Sequence, residues 1–331
     1  MTAHLPTWQK ELATAFSKPK ELLQYLNLDC QTFSALAKSD FAMRVPLSYA
    51  ACMQKGTLDD PLLMQVLPVS NELINPDNFQ DDPVGDLSAL TEDCIIHKYQ
   101  GRVLLITTGG CAINCRFCFR RNFPYADVQL NTQKESIALA YIQANSDIHE
   151  VILSGGDPLL LSDQRLADLI EKISGIVHIK RIRIHTRLPI VLPARITTEL
   201  VSILQNSALP IIVVVHCNHA NELSEQVIGA CLALKQRNIT LLNQSVLLKG
   251  INDNVHTLHA LSERLFAAGI LPYYLHLLDQ AKGTAHFEVT QTDAVKIHQS
   301  LQHTLPGYLV PKLVKEQSGE AAKTLIIEGV S

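Results

Sequence analysis

Short apolar segments with strand character alternate with segments of helical periodicity from Arg102 onward. After the first interval, the strand starts lie about thirty residues apart, which is the length of one strand–helix unit. This alternation predicts an α/β fold with a parallel sheet covered by helices. The predicted strands are Val103–Thr107, Val151–Ser154, Ile182–Thr186, Ile211–His216, Leu241–Val246 and Tyr273–Leu278. The predicted helices include Leu166–Ile173, Ile196–Leu204, Glu222–Gln236 and Thr257–Ala268.

Six such units are too few for a closed eight-stranded barrel, so they predict a curved, partial (β/α)6 barrel. An open doubly wound sheet is the alternative, because periodicity does not separate the two. The pattern of apolar and polar residues changes before Arg102. There, helical stretches at Glu21–Leu26 and Phe33–Ala37 precede the polar stretch NPDNFQDDPVGDL. We therefore predict a helical domain with a linker over residues 1–95, the barrel over 96–305, and a C-terminal segment over 306–331.

Polar side chains follow each predicted strand at its carboxyl end. In chain order these are the Cys111 segment, Ser154 to Asp157, His185 with Arg187, His216 with Asn218, Asn243 with Gln244, and Asp279. Barrel enzymes place their chemistry at this end of the strands. The pattern therefore favours a single site at one end of the barrel.

Charge and hydropathy exclude two classes of function. The net charge is -4 and the pI about 6.3, which excludes a nucleic-acid binder that acts through bulk positive charge. The longest apolar run, Leu209 to Val215, is far shorter than a membrane-spanning helix, and the N-terminus lacks the apolar core of a signal peptide. We expect a cytoplasmic protein.

Three of the eight cysteines form a cluster with the spacing C-x3-C-x2-C: Cys111, Cys115 and Cys118. Cytoplasmic thiols stay reduced, so the cysteines are core residues or ligands rather than disulfides. The isolated Cys30, Cys52, Cys94, Cys217 and Cys231 sit among apolar neighbours and are expected in the core. Three thiolates on one short loop suit zinc or an iron–sulfur cluster. A fourth ligand that would complete a structural zinc site is missing nearby.

At these residues the sequence resembles the radical S-adenosylmethionine superfamily, in which this spacing follows the first strand of a partial barrel. Several wider segments resemble the lysine 2,3-aminomutase family, and the resemblance spans roughly residues 95 to 325. These segments are CRFCFRRNFPY, LSGGDPLLL, RLPIVLPARIT, LLNQSVLLKGIND and YYLHLLD. The short length, FAMRVPLSYA and DDPLLMQVL are most similar to the bacterial members that make β-lysine for modifying elongation factor P.

The resemblance implies three cofactors. Cys111, Cys115 and Cys118 would hold a 4Fe-4S cluster with one open iron, and Lys323 would carry pyridoxal 5'-phosphate. Residues at the family's S-adenosyl-L-methionine positions are Ser154, Gly155, Gly156, Asp157, Gln244 and His216. Those at its cofactor-phosphate positions are Lys98, Tyr99 and Arg102. One departure is that longer members have a run of glycines before this lysine, where this chain has only Gly319.

The implied reaction moves the α-amino group of L-lysine to the β carbon. Arg120 matches the family's arginine for the substrate carboxylate, whereas Arg121 beside it is expected to be a surface charge. Asp279 and Glu316 match positions that receive the distal ammonium, although longer members have Asp where this chain has Glu316. Two shielded carboxylates repel each other unless a cation lies between them. A lysine side chain supplies that cation, whereas a glutamate side chain adds a third negative charge.

Several alternatives stay open at this point. The chain could be a catabolic aminomutase acting on lysine or glutamate, another radical enzyme on the same barrel, or a protein whose cysteines hold a structural metal. The expected partners are L-lysine, an external electron donor and, functionally, the enzyme that attaches β-lysine to elongation factor P. Neither nucleic acid nor a membrane is expected as a partner.

Overall fold

The computed structural model describes residues 7–29, 41–92, 94–128 and 130–327, and its centre is one sheet of ten strands. The strands are β1 Leu90–Thr91, β2 Ile95–Tyr99, β3 Arg102–Thr108, β4 Glu150–Gly155, β5 Arg181–Thr186, β6 Ile211–His216, β7 Thr240–Val246, β8 Leu271–His276, β9 Lys312–Lys315 and β10 Thr324–Leu325. The α-helices are α1 Thr7–Ala13, α2 Pro19–Tyr25, α3 Leu47–Ala50, α4 Tyr125–Val128, α5 Thr132–Ala144, α6 Asp163–Ser174, α7 Leu188–Val191, α8 Thr198–Gln205, α9 Glu225–Lys235, α10 Val255–Ala267 and α11 Gln291–Thr304.

The order of strands in the sheet follows the order in the sequence. Strands β3 to β8 are parallel neighbours, β9 continues the parallel run, and β2 and β10 pair antiparallel with β3 and β9. A doubly wound sheet reverses its strand order at a switch point, and this sheet does not. Right-handed crossovers without a reversal place the helices on one face and curve the sheet. The prediction of six parallel strand–helix units in a partial barrel is confirmed.

Within the described residues, the predicted strands and helices overlap observed elements, although some bounds differ and further elements were not predicted. The predicted helix from Glu222 starts only at Glu225, because Ser224 caps it by accepting the backbone N–H of Val227. Helix α5 was not predicted, since Ile142 is the one large apolar side chain among its buried residues, beside Glu135 and Ala138. A 3-10 turn at Gly307–Leu309 and strand β9 lead to the segment that carries Lys323. The helix predicted at Phe33–Ala37 lies outside the described residues.

The N-terminal region and the barrel share one hydrophobic core. Trp8 and Leu22 from the first two helices are buried in the same apolar cluster as Val103 and Leu153 from the barrel strands. The described part of the N-terminal region therefore packs against the barrel. None of the helices among the described residues has the length and hydropathy needed to cross a membrane.

The isolated cysteines follow the predicted pattern where the structure describes them. Cys94, Cys217 and Cys231 are buried and Cys52 is half-buried, as expected for small apolar side chains. Cys30 lies outside the described residues.

The loops that follow β3 and β4 pack directly against each other through glycines. The backbone N–H of Gly156 donates to the Thr108 carbonyl at 2.7 Å, and that of Asp157 donates to the Gly110 carbonyl at 2.7 Å. A Cβ atom at Gly156 would lie 2.0 Å from the Gly110 carbonyl oxygen. Only a residue without a side chain allows this approach. The glycine at position 156 therefore sets the spacing between the cysteine loop and the neighbouring strand.

Gly156→Ala should force the two loops apart and lower the free energy of unfolding by about 1 to 3 kcal/mol, the range for overpacking a tight contact. The matched control is Gly229→Ala in helix α9, where no atom lies within 4 Å of an added Cβ. That variant should be neutral or more stable, because Ala favours helix. Denaturant unfolding of both variants measures the difference. Equal free energies of unfolding for the two variants would show that the loops accommodate the added methyl group at position 156 without destabilisation.

Candidate active site

One cavity of about 480 Å³ opens at the carboxyl ends of the barrel strands. Every residue that the sequence predicted for cofactor or substrate lines it. These are Lys98, Tyr99, Arg102, Cys111, Cys115, Cys118, Arg120, Ser154, Gly155, Gly156, Asp157, His216, Gln244, Asp279, Glu316 and Lys323. The topology thus brings the ends of six strands, β2 and the C-terminal segment to one enclosed space.

The cysteine loop is held by the N-terminal region as well as by the barrel. The Asn114 side-chain amide donates to the Ala42 carbonyl at 2.9 Å, and the backbone N–H of Arg116 donates to the Gln65 carbonyl at 2.8 Å. Arg44 donates to the Cys111 carbonyl at 3.1 Å. These hydrogen bonds hold the loop from its outer side, and the three thiols line one wall of the cavity.

Burial raises the pKa of Cys111, and it raises the pKa of Cys118 to about 11. Thiols in such a setting lose their protons only when a cation compensates the charge. Among the described residues, no group of three or more His, Cys, Asp or Glu side chains could hold a metal ion. A four-iron cluster requires a different arrangement of thiols, because each cysteine binds a separate iron atom. The three thiols on one cavity wall fit a cluster better than a zinc ion.

Arg187 is buried behind the cysteine loop and supplies a positive charge there. Its Nη1 donates to the Cys115 Sγ at 2.6 Å, and its Nη2 donates to Gln65 Oε1 at 2.7 Å and Glu222 Oε2 at 2.9 Å. The charge of Cys115 and that of Glu222 raise the pKa of Arg187, against the effect of burial. A cation in contact with a sulfur ligand suits an anionic cluster.

The loop after β4 is organised by the carboxylate of Asp157. Its oxygens accept hydrogen bonds from the Thr186 hydroxyl at 2.7 Å and from the backbone N–H of Arg187 at 2.8 Å and of Leu159 at 3.1 Å. Burial raises its pKa to about 6. Asp157 lines the cavity, but these bonds direct its side chain to the protein. It holds the loop, whereas Ser154 and the two glycines present their atoms to the cavity.

Two half-buried histidines have buried nitrogens without a hydrogen-bond partner among the described residues. These are the Nε2 atoms of His185 and His216. Burial and the charge of Arg187 lower the pKa of His216 to about 3, and burial with Arg183 lowers the pKa of His185. Both rings are therefore neutral at pH 7. A bound polar molecule would satisfy these nitrogens, which fits a ligand such as a nucleoside derivative.

A network of charges surrounds Lys323. Its Nζ forms an ion pair with Glu316, whose Oε1 accepts the Tyr99 hydroxyl at 2.7 Å and lies 3.6 Å from Lys98 Nζ. Arg102 stacks on the Tyr99 ring at 4.5 Å. Burial alone would raise the pKa of Glu316, but the charge of Lys323 holds it below its ordinary value. Glu316 is therefore ionised and paired.

Asp279 is half-buried and lines the same cavity, without an ion-pair partner at contact distance among the described residues. Burial raises its pKa to about 7, Lys323 opposes the shift, and the charge of Glu316 adds to it. The site therefore contains a carboxylate that is only partly ionised near neutral pH and that a cation would stabilise.

Comparison with known proteins agrees with this geometry. The sequence model of the radical SAM superfamily matches residues 105–261. L-lysine 2,3-aminomutase of Haemophilus influenzae is 46% identical over 323 residues, which cover 97% of this chain and 96% of that protein. L-lysine 2,3-aminomutase of Escherichia coli is 47% identical over 96% of this chain and 93% of its own length. The protein of that name from Clostridium subterminale is 32% identical over 97% of this chain and 77% of its own length.

The chain belongs to the lysine 2,3-aminomutase family. It is an enzyme, since members of this family are isomerases. Membership in the radical SAM superfamily implies a 4Fe-4S cluster and S-adenosylmethionine. The three thiols, Arg187 and the unpaired histidine nitrogens are compatible with both groups.

The structure corrects two expectations about side chains near the cavity. Arg121 is not a surface charge: its side chain is 5% exposed, and it donates to Glu72 at 2.7 Å and to the Gly283 carbonyl at 2.9 Å. Asn218 and Asn243 follow strands but bond inward, to Gln65 and to the backbone of Cys217. Neither asparagine lines the cavity. Position after a strand brings a residue to the correct end of the barrel but does not decide where its side chain points.

Some residues that line the cavity were not predicted from the sequence. His276 ends β8 inside the YYLHLLD segment, so the rule of strand ends identifies it. Asp86 comes from the polar stretch interpreted as a linker, and it contacts both Lys98 and Arg120. Local sequence contains no signal for that contact, because its partners lie 12 and 34 residues away.

Replacing any one of Cys111, Cys115 and Cys118 with Ala should abolish the visible absorbance of an anaerobically reconstituted cluster, because each cysteine would bind one iron. Iron and sulfide content per chain should fall with it. Cys217→Ala is the matched control, since this thiol is buried and lies outside the cavity. Four iron and four sulfide per chain in a Cys111, Cys115 or Cys118 variant would contradict the assignment.

Asp279→Asn should stabilise the protein increasingly as pH rises. The folded state raises the pKa of Asp279 to about 7, so the folded chain binds a proton that the unfolded chain releases above about pH 4. The wild type therefore loses stability between about pH 4 and 7, and the Asn variant avoids a loss of up to about 4 kcal/mol. Denaturant unfolding at several pH values measures this. The exposed Asp147→Asn variant is the control, and a pH-independent difference for Asp279→Asn would contradict the account.

Proposed function

We propose that this chain is a radical SAM, pyridoxal phosphate-dependent isomerase that converts L-lysine to β-lysine by moving the α-amino group to the β carbon. One observation carries the proposal. The same enclosed cavity contains a three-thiol loop and a lysine, Lys323, with two carboxylates beside it. The homology to proteins named L-lysine 2,3-aminomutase supports the same reaction.

When bound, the cluster with S-adenosylmethionine supplies one-electron chemistry, and pyridoxal phosphate supplies an electron-accepting ring. The chain's own residues bind and shield these groups. Cys111, Cys115 and Cys118 would hold the cluster, whose chemistry requires an external electron donor. Lys323 would hold the pyridoxal, and Lys98, Tyr99 and Arg102 would provide donors for its phosphate. Ser154, Gly155, Gly156, Gln244 and His216 would contact S-adenosylmethionine, with Asp157 holding their loop.

Arg120 is the residue for the substrate carboxylate. It lines the cavity and is buried, and the charge of Asp86 raises its pKa against the effect of burial. A planar guanidinium binds a carboxylate through two parallel hydrogen bonds, which fixes the orientation of the substrate. Burial also excludes water, so reactive species are protected from side reactions.

Glu316 and Asp279 select the distal ammonium of lysine. In the structure Lys323 neutralises Glu316. With Lys323 holding the cofactor, Glu316 would lack that partner, and Asp279 is already only partly ionised near neutral pH. A substrate ammonium restores the charge balance, whereas a glutamate side chain would add a third negative group.

We further propose that the β-lysine produced in the cytoplasm is used to modify elongation factor P. The support is the resemblance of the whole chain to the short aminomutases. It spans 96% and 93% of the Haemophilus and Escherichia proteins but 77% of the Clostridium protein. Mass spectrometry of elongation factor P from cells with and without this gene tests the link. Identical masses would show that the product serves another process.

The wild-type enzyme, loaded anaerobically with iron, sulfide and pyridoxal phosphate, should convert L-lysine to β-lysine when S-adenosylmethionine and a reductant are added. Chiral chromatography with mass detection measures the product. L-Glutamate, run in parallel, should not react, because the two carboxylates repel its side chain. Conversion of glutamate would overturn the charge-selection argument, and absence of any β-lysine would overturn the proposed reaction.

Glu316→Gln and Asp279→Asn should each weaken the use of lysine by about 1 to 3 kcal/mol in kcat/KM, the range for losing a charged partner. Cluster and pyridoxal phosphate content should remain at wild-type levels. Asp147→Asn again serves as a surface control. Full lysine activity in the double variant would show that these carboxylates do not contact the substrate.

Borohydride reduction of the pyridoxal phosphate-loaded chain should trap the cofactor on Lys323, because borohydride fixes an imine as a stable amine. Peptide mapping identifies the modified residue. Lys323→Ala should remain unlabelled. A label on Lys312 or Lys315 instead would contradict the assignment of Lys323 and place the cofactor on strand β9.

A further inference from the structure

Asp86 belongs to the polar stretch that the sequence predicts as a linker, yet its side chain is only 3% exposed and lines the cavity. The backbone here is fixed by Asp82, whose carboxylate accepts the backbone N–H of Asp86 and of Leu87, each at 2.8 Å. A linker that merely spans two regions does not require a buried acidic side chain.

The carboxylate of Asp86 lies between two cations from different elements. Its Oδ1 lies 2.5 Å from Lys98 Nζ on β2, and its Oδ2 accepts the Nε–H of Arg120 at 2.6 Å. Burial alone would raise the pKa of Asp86, but the charges of Arg120 and Lys98 hold it below its ordinary value. The carboxylate is therefore ionised, and each of its oxygens has its own partner.

This contact uses one particular edge of Arg120. A guanidinium has five N–H donors, and a carboxylate is best bound by a pair of them. Asp86 takes the Nε–H, while Nη1 makes only a long contact of 3.5 Å with Ser154 Oγ. The Arg120 guanidinium also stacks on the Phe119 ring at 4.8 Å, which fixes its plane.

We propose that Asp86 is a positioning residue that orients Arg120, so that its terminal amino groups face the carboxylate of the substrate. Lys98 completes the arrangement by holding the second Asp86 oxygen, which prevents the carboxylate from rotating onto those amino groups. The inference rests on the proposed function in one respect: Arg120 receives the substrate carboxylate. It adds a residue from outside the barrel to the determinants of substrate recognition.

A purely structural role for Asp86 makes a different prediction, and the chain offers a matched control. Asp81 anchors the same stretch, through Lys282 at 2.6 Å and Asn122 at 3.0 Å, and these partners are distinct from Arg120 and Lys98. If Asp86 only fixes this stretch, Asp81→Asn and Asp86→Asn should have similar effects. If it orients Arg120, only Asp86→Asn should affect carboxylate recognition.

The test is isothermal titration of the full chain, loaded with pyridoxal phosphate, with L-lysine and with cadaverine, which lacks the carboxylate. Asp86→Asn should weaken L-lysine binding at least about tenfold and leave cadaverine binding within about twofold, because only lysine uses Arg120. Asp81→Asn should leave both affinities unchanged. In an Arg120→Gln background, Asp86→Asn should have no further effect, since its influence passes through Arg120.

Equal weakening of both ligands, wild-type binding of lysine by Asp86→Asn, or the same lysine-specific loss in Asp81→Asn would overturn the inference. Should Asp86→Asn fail to fold, Asp86→Glu retains the charge but moves it by one methylene. It should show the same lysine-specific loss at smaller size, and unchanged selectivity would again overturn the inference. The proposed function fails separately, if the wild-type protein makes no β-lysine.

Discussion

The buried guanidinium of Arg187 is the contact on which the site depends. It joins the cysteine loop through Cys115, the N-terminal region through Gln65 and Tyr49, and the barrel through Glu222. Removing one partner of a buried charge leaves the other uncompensated, at a cost of several kcal/mol. The N-terminal region is thus part of the active site. It shares the hydrophobic core, and its backbone and side chains hold the cysteine loop and Arg187 through hydrogen bonds.

Ion pairs also hold other charged side chains that line the cavity. Asp86 pairs with Lys98 and Arg120, and Glu316 pairs with Lys323 and Tyr99. Asp279 lacks such an ion pair among the described residues, and burial raises its pKa to about 7. Asp86 and Glu316 already have partners of opposite charge within the cavity, which offset the cost of burying them. This explains how one enclosed space accommodates so many ionised residues.

Much of this arrangement was predictable because it depends on local sequence. Strand–helix alternation predicts the six parallel strands, and position after a strand brings Cys111, Ser154, His216 and Asp279 to one end. Side-chain direction is a long-range property, and it was not predictable. Arg121 is paired with Glu72, and Asp86 with residues on two other elements, and neither pairing leaves a local pattern. The contact of Asp157 with S-adenosylmethionine stays a prediction, and the hydrogen bonds that join its oxygens to the neighbouring loop had no signal in the sequence.

The central claim is that one cavity holds both an iron–sulfur cluster and pyridoxal phosphate. The most direct measurement is a crystal structure of the protein reconstituted under anaerobic conditions, with anomalous scattering recorded for iron. The account predicts iron within bonding distance of the Cys111, Cys115 and Cys118 sulfurs, and electron density continuous with the Lys323 nitrogen in the same cavity. Iron bound elsewhere, or pyridoxal phosphate on a different lysine, would contradict it.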